Sequence, residues 1–299
     1  MISIRNLIAA SNSNIRAEQE IQRDTRVSEI HKKYPELEKV DNQIVAARAT
    51  RFIAVLDDNN VEQSHSENLE KQLLDKKSRI LARYDIDPGY EDLKVICSRC
   101  GDTGYFTNKK GMNQVCPCRQ DVIEDCYRKS GMADYSLVKL NNYKDDYFGD
   151  GPHRASLRKK ISEIIIGSDT EPDHTLWVLS DGVQTGKTFL AVYSLKLAVN
   201  LAKSVYYLRL DDLMKMYDDD LDDLRDCDIL IVDDYIANMT VTGNVGTKLN
   251  SILETRQATG LATIIVTSFD ISSIVAESDV RISGKLKNAG LINSGKTGK

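Results

Sequence analysis

Two motifs, in a set order, limit what this chain can fold into. Cys97-Ser-Arg-Cys100 and Cys116-Pro-Cys118 come first. Asp181-Gly-Val-Gln-Thr-Gly-Lys-Thr188 follows, and an apolar run ending in Asp233-Asp234 comes after it. A loop ending Gly-Lys-Thr gathers backbone N–H groups around an anion only where a strand turns tightly into a helix. The second half of the chain must therefore be built on strands that alternate with helices. The cysteine pairs mark a small module held by a metal rather than by a core of its own.

The flanking pattern agrees. Thr175–Leu179 is a short apolar run ending at the loop, and a helix is expected over 187–203. Val205–Leu208, Ile229–Val232 and Ala262–Thr267 are further apolar runs, with helical spacing between them at Leu249, Ile252, Leu253 and Arg256. Buried strands alternating with helices imply a parallel sheet covered on both faces, the α/β class.

The loop departs from the strict G-x-x-x-x-G-K-[ST] pattern at one place. Asp181 stands at the first position and Gly182 one residue later, while Gly186, Lys187 and Thr188 are intact. Gly182 and Gly186 let the backbone approach phosphates, Lys187 reaches the terminal phosphates, and the Thr188 hydroxyl suits magnesium. These features predict ATP as cofactor, with Mg2+. A carboxylate at Asp181 is tolerable only if it points away. Asp233 at the strand end is the better magnesium residue, and Asp234 is placed to orient or activate water. Asp is shorter than the Glu often found there, so slow hydrolysis is expected. The strand 262–267 ends at Thr267-Ser268, where a polar side chain can meet the γ-phosphate. Arg281 follows in Ser278-Asp-Val-Arg-Ile-Ser-Gly-Lys-Leu286, either as an arginine finger toward a neighbouring subunit or as a plain surface residue.

Four of the six cysteines fall within 22 residues. Beside a phosphate loop this reads as zinc rather than disulfides, with Cys97, Cys100, Cys116 and Cys118 as a closed, structural set of ligands. Cys126 and Cys227 are left as packing residues, with exchange of Cys126 for one ligand kept open. Arg99, Lys109, Lys110 and Arg119 make the module locally basic, and Asp102 and Asp121 offset them.

Residues 12–84 read as helices. Leu37, Val40, Ile44 and Ala47 share one face, which Phe52 and Val55 roughly extend, and Leu69, Leu73, Ile80 and Tyr84 form another. Pro35 separates an earlier helix, and Asp57–Asn60 is the expected turn. The resulting plan is a helical region over 1–96, a zinc module over 97–130, a linker over 131–159 containing Tyr135, Tyr143, Tyr147 and Phe148, and the nucleotide domain over 160–299. A net charge of -5 disfavours a life spent mainly on duplex DNA and suits a protein partner. No apolar run approaches the roughly 20 residues of a membrane span, so a cytoplasmic protein is expected.

A helical segment, then Cys97-x-x-Cys-Gly-Asp-Thr-Gly-Tyr105, then Cys116-Pro-Cys-Arg119, then a phosphate-loop domain resembles the bacterial and phage replicative helicase loaders of the DnaC/DnaI type. The likeness covers nearly the whole chain. It implies an AAA+ ATPase domain that binds ATP and single-stranded DNA and self-associates. It also implies an N-terminal helical and zinc region that engages a hexameric DnaB-type helicase and helps place it on DNA. By position, Lys187 and Thr188 match Walker A, Asp233 and Asp234 match Walker B, and Ser268 stands at sensor 1 in place of Asn. Arg281-Ile-Ser-Gly-Lys-Leu286 resembles Arg-Ile-x-Ser-Arg-Ile, with Lys285 replacing the second arginine. These departures fit weak hydrolysis and a phage-encoded member, acting in the host cytoplasm. Two other readings are a non-hydrolysing helicase-binding adaptor and an IstB-like transposition ATPase, which usually lacks the cysteine module.

Overall fold

The computed structural model describes residues 4–109, 111–131, 151–167, 174–241 and 244–292. The four aromatic residues between 135 and 148 lie outside them. The chain forms two compact units, one of Asn12–Ser98 and one of Met1–Ser11 with Arg99–Lys299.

In the first unit, helix α1 (Ile4–Lys33, whose first residues belong to the other unit) ends where the sequence places the break. Pro35 pushes Tyr34 out of the helical region and takes the first position of α2 (Pro35–Leu56), where its missing N–H costs nothing. Helix α3 (Asn60–Arg83) starts sooner than expected. The turn is only Asp57–Asn59, because the Asn59 side chain accepts the Glu62 N–H and caps the new helix at once.

Leu37, Val40, Ile44 and Ala47 do pack inward, against Leu73, Ile80, Leu81 and Tyr90. Phe52 and Val55 do not: they are 65% and 50% exposed. The buried row continues through Ala54 instead, three- and four-residue steps on from Ala47 by way of position 51. Arg51 itself stands at the edge of this row and pairs with Glu70 at 2.8 Å, beside Arg48 at 2.7 Å.

A buried carboxylate ties this unit together. Asp41 on α2 meets His31 Nε2 of α1 at 2.8 Å, Lys77 Nζ of α3 at 2.8 Å, and the Tyr90 hydroxyl, which donates to it. Arg26 of α1 adds hydrogen bonds to the Tyr90 and Asp92 carbonyls, both at 2.7 Å. Burial pushes the Asp41 carboxyl up, but the donors Lys77, Tyr90 and His31 outweigh it and hold it below its ordinary range.

The second unit is α/β, as expected. It holds a small antiparallel hairpin, β1 (Tyr105–Thr107) with β2 (Asn113–Val115), followed by α4 (Gln120–Lys129). Helix α5 (Gly151–Gly167) begins inside the span read as a linker, with Pro152 in its first turn, where a proline is compatible with a helix. Then come β3 (Leu176–Ser180), α6 (Lys187–Asn200), β4 (Val205–Arg209), α7 (Leu221–Asp226) and β5 (Ile229–Asp233). After these lie α8 (Asn238–Val241), α9 (Val245–Ala258), β6 (Ala262–Thr267), α10 (Ile271–Glu277), α11 (Val280–Lys287) and β7 (Gly290–Leu291).

The five strands β3–β7 form one parallel sheet in the order β4-β5-β6-β3-β7. The four apolar runs are its strands, and β7 is a fifth that is too short to show in the sequence. Gly290 is required there, since a Cβ would lie 2.4 Å from the Trp177 ring. Alternation along the strands divides the core. Trp177, Leu179, Tyr207, Ile231, Ile264 and Val266 face α5, α6, α4 and the start of α1. Val178, Leu208, Leu230, Val232 and Ile265 face α7, α9, α10 and α11. This is the doubly covered parallel sheet expected from the alternation of apolar strands and helices.

Because the Asp41 carboxyl is lower in the fold than in an open chain, its contribution is full at neutral pH and is lost as pH falls below about 4. Asp41→Ala removes one of the two carboxylates that pair with Lys77 among the described residues, leaving Glu91. It should cost toward the low end of about 3–5 kcal/mol, read as faster hydrogen exchange in α2 and α3. Unchanged protection would remove Asp41 as the staple.

Candidate functional site

The strand ends of the large sheet open onto a cleft of about 250 Å³. Val183–Thr188 form one wall, Asp233 and Asp234 the floor, and Val266–Ser268 the other wall. Parallel register creates this meeting. Ser180 stands opposite Thr267 across β3 and β6, and Val232 opposite Ile265 across β6 and β5. Three loops therefore leave the sheet at one edge, where ligands of open α/β sheets bind.

Gly186 turns the chain into α6 with a φ of 80°, a left-handed conformation that favours glycine. Gln184 is also left-handed, so the loop curls before the helix. Lys187 is buried and donates to the Gly182 carbonyl and, at 3.3 Å, to the Thr185 hydroxyl. Burial lowers its pKa, and Asp181, Asp233 and Asp234 pull the other way. These carbonyl and hydroxyl partners hold the ammonium beside the loop it would serve.

Asp233 is buried at the floor, and burial raises its pKa. The Asp234 N–H donates to it at 2.9 Å, the Tyr207 hydroxyl does so at 2.9 Å, and the Thr188 hydroxyl makes a further hydrogen bond. A carboxylate and a hydroxyl in contact at the base of a phosphate loop suit a hard divalent cation with oxygen ligands. Tyr207 of β4 is a member of this site that the sequence shows only as an apolar strand residue.

Asp234 has a φ of 51°, rare for a residue with a side chain, which aims it out of the strand direction. Its carboxylate is half exposed and lies 3.2 Å from Arg209 Nε at the tip of β4. No sequence motif marks Arg209 as part of this site. Thr267 is buried, and its hydroxyl donates to the Tyr235 carbonyl at 2.9 Å, locking β6 to the exit of β5. Ser268, one residue on, is exposed and lines the cleft.

The fold thus brings Gly186, Lys187, Thr188, Asp233, Asp234 and Ser268 together. Gly182 contributes its carbonyl to Lys187 rather than lining the cleft. Arg281 is not among the lining residues: it sits in the first turn of α11, half exposed, and pairs with Asp279 at 3.1 Å. Lys285 pairs with Glu254 at 3.5 Å. Asp181 points away from the cleft, with its Oδ2 2.9 Å from Arg154 of α5.

The four knuckle cysteines also converge. The Sγ atoms of Cys97, Cys100, Cys116 and Cys118 all lie within 4.8 Å of one another, and Cys100 and Cys118 are 3.6 Å apart. Zinc–sulfur bonds of about 2.3 Å in a tetrahedron would separate sulfurs by about 3.8 Å, so the cluster is compatible with a zinc ion. The β1–β2 hairpin presents the second knuckle, with the Cys116 N–H bonded to the Gly104 carbonyl at 2.8 Å. Arg119 is buried. It donates to Cys118 Sγ at 3.4 Å and to the Asp102 carbonyl at 2.8 Å, so it offsets thiolate charge rather than offering a basic surface. Cys126 is not in the cluster; it packs in the core beside Ser130.

No protein-family model and no curated protein matches this chain. Among solved structures, it is similar to domain III of the replication initiation protein DnaA of Thermotoga maritima. The TM-score is 0.42 at 19% identity, over 50% of this chain and 65% of that one. It is similar to AMPPCP-bound DnaA of Aquifex aeolicus with TM-score 0.42 at 17% identity, over 52% of this chain and 50% of that one. It is similar to DnaI with TM-score 0.38 at 16% identity, over 59% of this chain and 97% of that one. The chain thus spans between 50% and 65% of the length of these two DnaA structures.

Cys126 and Cys227 are buried, and burial raises both thiols, Cys227 to about 11. Little thiolate exists at pH 8 and reagent access is closed. Iodoacetamide should leave both unmodified in the native protein and label both after denaturation, as read by peptide mass spectrometry. Rapid native labelling of either would contradict their role in packing.

Proposed function

We propose that this protein is an ATP-dependent loader that binds a DnaB-type hexameric replicative helicase and helps place it on single-stranded DNA. The observation that carries the nucleotide part is the cleft, which joins Lys187, Thr188, Asp233, Asp234 and Ser268 at one edge of a parallel sheet. The loader part rests on the resemblance of the cysteine-knuckle stretch to that family. In this reading Gly182, Gly186 and Lys187 cradle the triphosphate of ATP, while Thr188 and Asp233 hold Mg2+. When bound, the magnesium neutralises phosphate charge. Asp234 orients a water, Ser268 contacts the terminal phosphate, and Arg281 serves a neighbouring copy's nucleotide when AAA+ domains self-associate. Cys97, Cys100, Cys116 and Cys118 hold a structural zinc. The helical region over 1–96 carries the helicase-binding surface, and the site of action is the cytoplasm. Among the described residues no helix is long and apolar enough to cross a membrane.

A non-hydrolysing adaptor is the second reading, favoured by the Asp234–Arg209 pair, which ties up the carboxylate meant for water. Turnover separates the two: a loader hydrolyses ATP slowly and responds to helicase or DNA, whereas an adaptor binds ATP without turnover.

Lys187→Ala should weaken ATP binding on the order of 10–100-fold, the worth of a charged hydrogen bond to phosphate, measured by equilibrium titration. Capture of the replicative helicase by the full chain, with and without ATP, tests the partner. Loss of that capture when Cys97 and Cys100 become Ser, together with loss of one zinc per chain by elemental analysis, is the expected result. No capture under any nucleotide condition would sink the loader reading and leave a nucleotide-binding protein.

A further inference from the structure

Asp181 is the residue least suited to its place. It occupies the first position of a phosphate loop, where a side chain is usually absent and a negative charge opposes the ligand. Its surroundings show how the fold accommodates it. Asp181 Oδ1 accepts the Gly182 N–H at 2.9 Å, and Oδ2 lies 2.9 Å from Arg154 Nη2 and 3.7 Å from His153 Nε2. Both partners come from the first turn of α5, the helix that the sequence hides inside an apparent linker.

Arg154 is 3% exposed, and among the described residues its Nε and Nη1, like Asp181 Oδ2, make no hydrogen bond, so its contact with Asp181 is an ion pair. So large a buried cation needs a compensating charge, and Asp181 supplies it. The arrangement continues into the cleft. Gly182, whose N–H is fixed by Asp181, offers its carbonyl to Lys187. Asp181 and Arg154 also act on the Lys187 ammonium with opposite sign. The pair therefore presents little net charge to the loop, and the carboxylate is turned out of the cleft lining.

We infer that Arg154 is a positioning residue for the triphosphate: it neutralises Asp181 and clamps it to α5, so that a loop carrying a carboxylate still accepts an anionic ligand. This rests on the reading of the cleft as an ATP site. Arg154 acts through Asp181, so removing it exposes the loop to an uncompensated negative charge. The penalty grows with the charge of the ligand, and removing Asp181 as well abolishes it.

The test is titration of full-length protein with fluorescent ATP and fluorescent AMP, with a thermal melt for each variant. Arg154→Ala should weaken ATP on the order of tenfold and AMP by clearly less. Arg154→Gln, which keeps most of the volume, gives the same pattern if the alanine variant does not fold. The double variant Arg154→Ala with Asp181→Gly should return ATP affinity to within about threefold of the unmodified protein. Unaltered ATP binding in the single variant overturns the inference. So does an equal loss for AMP and ATP, or a loss that Asp181→Gly does not restore, each of which marks a merely structural arginine. An unmodified protein that does not bind ATP, with Lys187→Ala indistinguishable from it, overturns the cleft reading itself and the inference with it.

Discussion

The parallel register of β3, β6 and β5 is the constraint on which the candidate site depends. Each strand is buried on both faces, so each must be apolar and can carry chemistry only at its end. Ser180 opposite Thr267, and Val232 opposite Ile265, place the three exits side by side. A one-residue slip would turn Trp177 and Leu179 toward the wrong layer and separate the loop from Asp233. Packing thus sets the position of the polar groups. The hydroxyl of Thr267, bonded to the Tyr235 carbonyl, then fastens the two exits that flank Asp233.

Around that edge the charges are arranged in partners rather than singly. Lys187 is held by the Gly182 carbonyl and the Thr185 hydroxyl, Asp181 faces Arg154, and Asp234 faces Arg209. Asp233 is the least comfortable of them, since burial disfavours its charge and only hydrogen bonds support it. A divalent cation bound there would offset that cost, which is what supports the proposed role of Asp233 toward magnesium. The cysteine cluster follows the same economy on a smaller scale: four converging sulfurs are compatible with a zinc ion, and Arg119 donates to one of them.

The helical unit is held by a different device. Its apolar face is short, and the Asp41 cluster joins α1, α2, α3 and the segment after α3 through one carboxylate. Apolar side chains near the α2–α3 turn, Phe52, Ile53, Val55 and Leu56, stay exposed. The buried row through Leu37, Val40, Ile44 and Ala47 keeps its helical phase through position 51 to Ala54, with Arg51 at its edge paired to Glu70. Hydrophobicity alone therefore misassigns Phe52 and Val55, because the helix phase, not the residue type, decides which side meets the core.

Much of this protein is legible in its residues alone. The phosphate loop, the acidic strand end, four of the five large-sheet strands, the helix break at Pro35 and the four-thiol set are local patterns, in which neighbouring residues impose backbone geometry or supply ligands. The tertiary structure decided what those patterns left open. It made β7 from two residues, drew α5 back into the span read as a linker, and turned Asp181 onto Arg154. It placed Tyr207 against Asp233 and Arg209 against Asp234, and set Arg281 outside its own cleft. Pairings of this second kind join residues far apart in the chain. No local pattern encodes Asp181 with Arg154, Tyr207 with Asp233 or Arg209 with Asp234, because only the packed sheet and α5 bring these side chains within reach of one another.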